Sequence, residues 1–113
     1  MALAVAVLAG CGSGVDDRPA TWSYISTAII QPSCATASCH SEAAQRAGVI
    51  LSDSNKAYTS LVGRNFVIPG NQNISEVMAL MRAVGARRMP PDFPLPEADV
   101  ELIGKWIDMG AKP

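Results

Sequence analysis

Aromatic side chains are scarce in this sequence. Only six of its 113 residues are aromatic, namely Trp22, Tyr24, Tyr58, Phe66, Phe93 and Trp106. A chain of this length has room for one domain with a modest core, and the 49% of apolar residues is typical of a globular protein. Either aliphatic side chains and methionine fill the centre of that domain, or a large flat apolar cofactor does, and the composition leaves both possibilities open.

The chain also lacks a strong charge of either sign. Its formal net charge is −1, and its nine basic residues are scattered apart from the adjacent pair Arg87 and Arg88. Proteins that bind nucleic acid concentrate lysine and arginine on one face. We therefore predict that nucleic acid is not a partner.

The apolar run at the N-terminus is too short to cross a membrane as a helix. It covers Ala2 to Ala9 and leads into a Leu-Ala-Gly-Cys sequence that ends at Cys11, whereas a spanning helix needs about 20 apolar residues. This run resembles a bacterial lipoprotein signal, which implies removal of residues 1–10 and lipidation of Cys11. Residues 11–20 then form a flexible tether. The alternative is an unprocessed apolar N-terminus with an incidental cysteine.

Helical periodicity dominates residues 21–113, and no segment shows the alternation typical of a strand, so we predict an all-α domain. The pattern predicts a first helix that Thr21 caps and Pro32 ends. Asn73 and Glu76 predict a capping box for a helix that reaches Val84. The other predicted helices run from Ser54 to Val62 and from Pro96 to Gly110.

Cysteine and histidine are rare, with three cysteines and one histidine, yet three of these residues lie together. Cys34, Cys39 and His40 form a Cys-x4-Cys-His motif. Two thiols can add to the two vinyl groups of a haem, and a histidine beside the second thiol can ligate the iron. The usual spacing is Cys-x2-Cys-His, so we expect the longer loop to bulge outward while the relation of Cys39 to His40 stays intact.

Three other interpretations of this motif remain open. Cys34 and Cys39 can form a disulfide bond in an oxidising compartment. A zinc site is the weakest alternative, because only three soft ligands remain once Cys11 carries lipid. His40 can also be an ordinary exposed histidine without a ligand.

A Met-Pro-Pro sequence at Met89 lies in an irregular segment between two predicted helices. A thioether on a loop stiffened by proline can be held at a fixed distance above a ring and act as a second axial ligand. Met78, Met81 and Met109 fit core filling better than Met89 does.

The order of these parts resembles the class I cytochrome c domain. The shared parts are an N-terminal helix before the cysteine motif, a Val-Ile-Pro-Gly-Asn turn, Ser75 opening a helix, Met-Pro-Pro and a final helix. The resemblance covers roughly Trp22 to Ala111, and the closest variants are single-haem domains in exported proteins of planctomycete- and myxobacterium-like bacteria. It implies the cytochrome c fold, with the first and last helices crossing near Trp22 and Trp106.

The resemblance also implies a function. His40 would be the proximal ligand and Met89 the distal ligand of one covalent haem c, which leaves no open iron site for oxygen or peroxide. We therefore expect an electron carrier and not an enzyme, lipid-anchored in the bacterial cell envelope, facing the periplasm or exterior, with redox proteins as partners. The alternatives are a haem protein of peroxidase or gas-binding type, and a haem-free lipoprotein that is stapled by a Cys34–Cys39 disulfide and binds a partner.

Overall fold

The computed structural model describes residues 15–36 and 39–113. Its secondary structure consists of short helices. The α-helices are α1 (Trp22–Ile25), α2 (Gln31–Cys34), α3 (Ser54–Leu61), α4 (Glu76–Arg82) and α5 (Glu97–Asp108), with a π-helical segment at Ser26–Ile30 and 3₁₀ segments at Arg46–Gly48 and Gln72–Ile74. No strand occurs in these two ranges, and the predicted all-α fold class is confirmed. None of the helices found there is long and apolar enough to cross a membrane. Cys11 lies outside the described residues, as do residues 1–10.

The first helical stretch continues past Pro32, so its predicted end is wrong. The N–H of Gln31 donates to the carbonyl of Ser26, five residues back, in the wider turn of the π-helical segment. Pro32 then becomes the second residue of α2. Proline is tolerated in the first turn of an α-helix. The helix therefore reaches Cys34 and places this residue on its last turn.

Helix α3 begins at the predicted residue and ends one residue before the predicted one. Asp53 precedes it in extended conformation, and its carboxylate accepts hydrogen bonds from the backbone N–H groups of Asn55 and Lys56, both at 2.9 Å. These contacts satisfy two of the donors that a helix start leaves unpaired.

Helix α4 begins two residues later than the capping box predicts. Asn73 lies instead in a 3₁₀ segment, where its N–H donates to the side chain of Asn71 at 3.0 Å. Ser75 takes the cap position, as the family resemblance implies. The helix also ends early, at Arg82, so Val84 is 95% exposed and not on the buried face.

Helix α5 follows its prediction closely, from Glu97 after Pro96 to Asp108. Its buried stripe contains Leu102, Ile103, Trp106 and Ile107. Gly104 allows a close approach, since a Cβ there would meet the Gln72 side-chain oxygen at 2.3 Å. The Gln72 side chain and backbone N–H both donate to the Asp108 carboxylate, which lowers the pKa of that group. This contact docks the 3₁₀ segment against α5.

An aromatic cluster joins the first and last helices. The rings of Trp22 and Trp106 stack with centroids 4.9 Å apart, and Tyr58 packs edge-on against both. All three polar ring groups donate to backbone carbonyls, at 2.8 to 3.0 Å, so their burial leaves no donor unpaired. The first and last helices therefore meet at Trp22 and Trp106, as the family resemblance implies.

Candidate functional site

A cavity of about 520 Å³ opens beside the aliphatic core, within the range of small-molecule and cofactor sites. Its lining is mostly apolar and includes all four residues that the sequence assigned to a cofactor. The lining residues are Ile30, Ser33, Cys34, Cys39, His40, Arg46, Ala47, Val49, Leu51, Leu61, Phe66, Val77, Leu80, Met81, Met89, Pro90, Pro91 and Asp92.

Backbone hydrogen bonds hold the ends of the cysteine motif together. The N–H of His40 donates to the carbonyl of Cys34 at 3.2 Å, which closes the loop between these two residues. The carbonyl of His40 in turn accepts from the N–H of Leu51 at 2.8 Å. Cys34 and His40, the two ends of the lengthened motif, thus stay adjacent. Cys34, Cys39 and His40 all line the same cavity.

The imidazole of His40 has one nitrogen occupied by the protein. Its Nδ1 lies 3.3 Å from the carbonyl oxygen of Val49. Because a carbonyl oxygen can only accept a hydrogen bond, Nδ1 is the nitrogen that carries the proton and donates. This tautomer leaves Nε2 with its electron pair available for a metal. The contact with Val49 therefore orients the ring for ligation.

Cys34 is half-buried at the end of α2, and both it and Cys39 are present as thiols. No disulfide bond links them in the structure. Burial, together with the nearby Cys39, raises the pKa of the Cys34 thiol to about 11. A thiol with this pKa is a weak nucleophile near neutral pH, because the thiolate is the reacting form.

We expect slow alkylation of Cys34 in the folded, haem-free protein. At pH 8 its thiolate population should be about a hundredfold smaller than that of a thiol with the ordinary pKa of 9.0. Because the unfolded chain ionises first, the raised pKa leaves stability unchanged below pH 9 and lowers it as the pH rises towards 11. Iodoacetamide labelling followed by fragmentation of the labelled peptide separates Cys34 from Cys39.

The same labelling in urea is the matched control, because unfolding returns Cys34 to its ordinary pKa. Labelling of Cys34 should then become much faster. Equal rates for Cys34 in the folded and unfolded protein would contradict the described burial of this thiol.

Met89 reaches the cavity from the loop that follows α4. Its backbone N–H donates to the carbonyl of Leu80 at 3.0 Å, and its residue surface is 39% exposed. Met78 and Met81 are buried, as predicted for core methionines, but Met109 is 62% exposed and the core prediction for it is wrong. It directly follows α5, at the end of the helix. Met81 also lines the cavity, which makes it the competing thioether.

Two charged cavity residues, Arg46 and Asp92, were missed by the sequence interpretation. Neither belongs to a motif: Arg46 begins the 3₁₀ segment Arg46–Gly48 and Asp92 lies in the loop before α5, and the positions of both depend on tertiary packing. Within residues 15–36 and 39–113, no three His, Cys, Asp or Glu side chains converge on a possible metal position. A structural zinc site would need such a group.

The chemistry of these side chains fits a haem c. Two thiols, one imidazole and one thioether line the cavity, and these are the groups that haem attachment and iron ligation use in c-type cytochromes. The aliphatic lining suits a flat apolar ring.

One family matches this part of the chain. Residues 37–92 match a family described as Planctomycete cytochrome C. The match contains Cys39, His40 and Met89 but begins after Cys34. No curated protein and no solved structure matches the chain. The match, together with the helical fold, supports a cytochrome c-like domain in this protein.

Proposed function

We propose that this protein is a membrane-anchored, extracytoplasmic electron carrier with one covalent haem c. Cys34 and Cys39 form the thioether bonds, and His40 and Met89 are the axial ligands. The observation that carries this proposal is the single apolar cavity that both thiols, the imidazole and the Met89 side chain line together. The family match supports a cytochrome c-like domain around three of these four residues.

The haem supplies a reversible one-electron iron couple, and the side chains determine how it is used. The carbonyl of Val49 accepts a hydrogen bond from Nδ1 of His40, which leaves Nε2 as the nitrogen that would ligate the iron. Val77, Leu80 and the other aliphatic lining residues give the cavity an apolar surface. A thioether ligand favours the reduced form. With a histidine and a methionine on the iron, no position is left for oxygen or peroxide, so the proposal is a carrier and not an enzyme.

The anchoring part of the proposal rests on the sequence around Cys11. Acyl chains on this residue would hold the mature protein at a membrane of the bacterial envelope. The polar segment after it would give a reach of about 15 Å. Tethering raises the local concentration of the carrier near membrane-bound redox partners.

A visible absorption spectrum tests this function. Full-length protein produced together with a haem-attachment system should be red and low-spin, with two protein ligands on the iron. A red protein with an open sixth position would favour the peroxidase or gas-binding type instead. A colourless protein would overturn the proposal and favour a haem-free lipoprotein.

A further inference from the structure

The Met-Pro-Pro segment has more backbone hydrogen-bond acceptors than donors. Pro90 and Pro91 carry no N–H, so the segment contributes acceptors with few donors. The guanidinium of Arg88 supplies the missing donors. Its Nη2 donates to the carbonyl of Pro91 at 3.0 Å, and its Nε donates to that of Pro90 at 3.4 Å.

The residue between the arginine and the prolines is the candidate ligand Met89. Its N–H is bonded to the carbonyl of Leu80 at the end of α4. The backbone N–H of Arg88 donates to the carbonyl of Gly85 at 3.1 Å. The segment is therefore held on its N-terminal side by backbone contacts and on its C-terminal side by one side chain.

We infer that Arg88 is a positioning residue, which holds the Met89 sulfur at the cavity by clamping the two proline carbonyls. This inference rests on the proposed function. A guanidinium presents several N–H donors in one plane, so a single side chain can serve two carbonyls, whereas a lysine offers a compact point charge. Arg88 is half-buried and is not among the residues that line the cavity.

Arg87 provides a matched control. It has the same charge and is the neighbouring residue, but it is exposed. No hydrogen bond or ion pair of its side chain occurs in the described part of the chain. Removing either arginine takes away one positive charge, but only the loss of Arg88 releases the loop.

The test is the apparent affinity of the haem-loaded full-length protein for imidazole, a mostly neutral ligand at pH 8. Imidazole binds only after the methionine sulfur leaves, so its apparent affinity follows the fraction of open iron. The loss of two hydrogen bonds in Arg88→Ala should raise this affinity about tenfold. Arg87→Ala should change it less than about twofold, and Arg88→Lys should lie between, because a lysine retains one donor contact.

A second background separates positioning from a general loss of structure. In Met89→Ala the sulfur is absent, so adding Arg88→Ala should change imidazole affinity no further. Equal effects of Arg88→Ala and Arg87→Ala would overturn the positioning role, as would an effect of Arg88→Ala that persists without Met89. If Met89→Ala itself fails to raise imidazole affinity, the ligand assignment in the proposed function is wrong.

Discussion

Replacing Met89 by alanine should open the sixth position of the iron. The variant should bind cyanide and carbon monoxide, lose the absorption band of sulfur ligation, and have a lower reduction potential, because the thioether favours ferrous iron. The amount of attached haem should change little, since the proposed attachment points are Cys34 and Cys39 and not Met89. Absorption spectra with and without these ligands, together with a redox titration, measure the effect.

Two other methionines serve as controls for this substitution. Met81 is 6% exposed and lines the same cavity, so Met81→Ala should lower the free energy of unfolding by about 2–5 kcal/mol without changing the spin state. Met109 is exposed, so Met109→Ala should change stability by less than about 0.5 kcal/mol. If the sulfur band survives in Met89→Ala and disappears in Met81→Ala, then Met81 is the ligand and the assignment is wrong.

Replacing Cys39 by serine should remove most of the covalently attached haem. The hydroxyl of serine does not add to a vinyl group as a thiolate does, and Cys39 is the proposed attachment point next to the proposed iron ligand His40. Haem staining after denaturing electrophoresis measures the loss. A stain as strong as that of the unmodified protein would exclude Cys39 as an attachment site.

Cys11→Ser is the matched cysteine control. It should leave haem staining unchanged, because Cys11 precedes the domain that holds the motif. It should also move the protein out of the membrane fraction, because the acylated thiol is lost. A Cys11→Ser protein that stays in the membrane fraction would contradict the lipid anchor.

The elements predicted well are those determined by local patterns. Helix α5 carries its acidic first turn, its buried stripe and its terminal glycine in one continuous stretch of sequence. The family resemblance implied that the first and last helices cross near Trp22 and Trp106, and the two rings stack there. Cys34, Cys39, His40 and Met89 line one cavity, while their roles in haem attachment and iron ligation stay predictions.

The errors came from contacts that a local pattern does not contain. Pro32 was expected to end a helix, but a π-helical segment precedes it and the chain stays helical to Cys34. Asn73 looked like a cap because a glutamate follows three residues later. Asn73 lies instead in a 3₁₀ segment, where its N–H donates to the side chain of Asn71. Gln72 of that segment donates to the carboxylate of Asp108, which lies far along the chain.

The supporting residues of the site were the hardest to predict. Arg46 reaches the cavity from a 3₁₀ segment and Asp92 from a loop, and Arg88 donates to carbonyls whose direction depends on the loop conformation. Val49 contacts His40 from nine residues away through a backbone atom, which leaves no trace in side-chain identity. Motifs therefore identified the candidate ligands, and only the three-dimensional arrangement identified the groups that orient them.

The central claim is that Cys34 and Cys39 carry one haem. Mass spectrometry of the proteolytic peptide that contains residues 34–40, taken from full-length protein made with a haem-attachment system, tests it most directly. We predict a peptide heavier by one haem, with fragment ions that place thioether bonds on both sulfurs. A peptide without haem, with the two cysteines joined to each other or left as thiols, would contradict the claim.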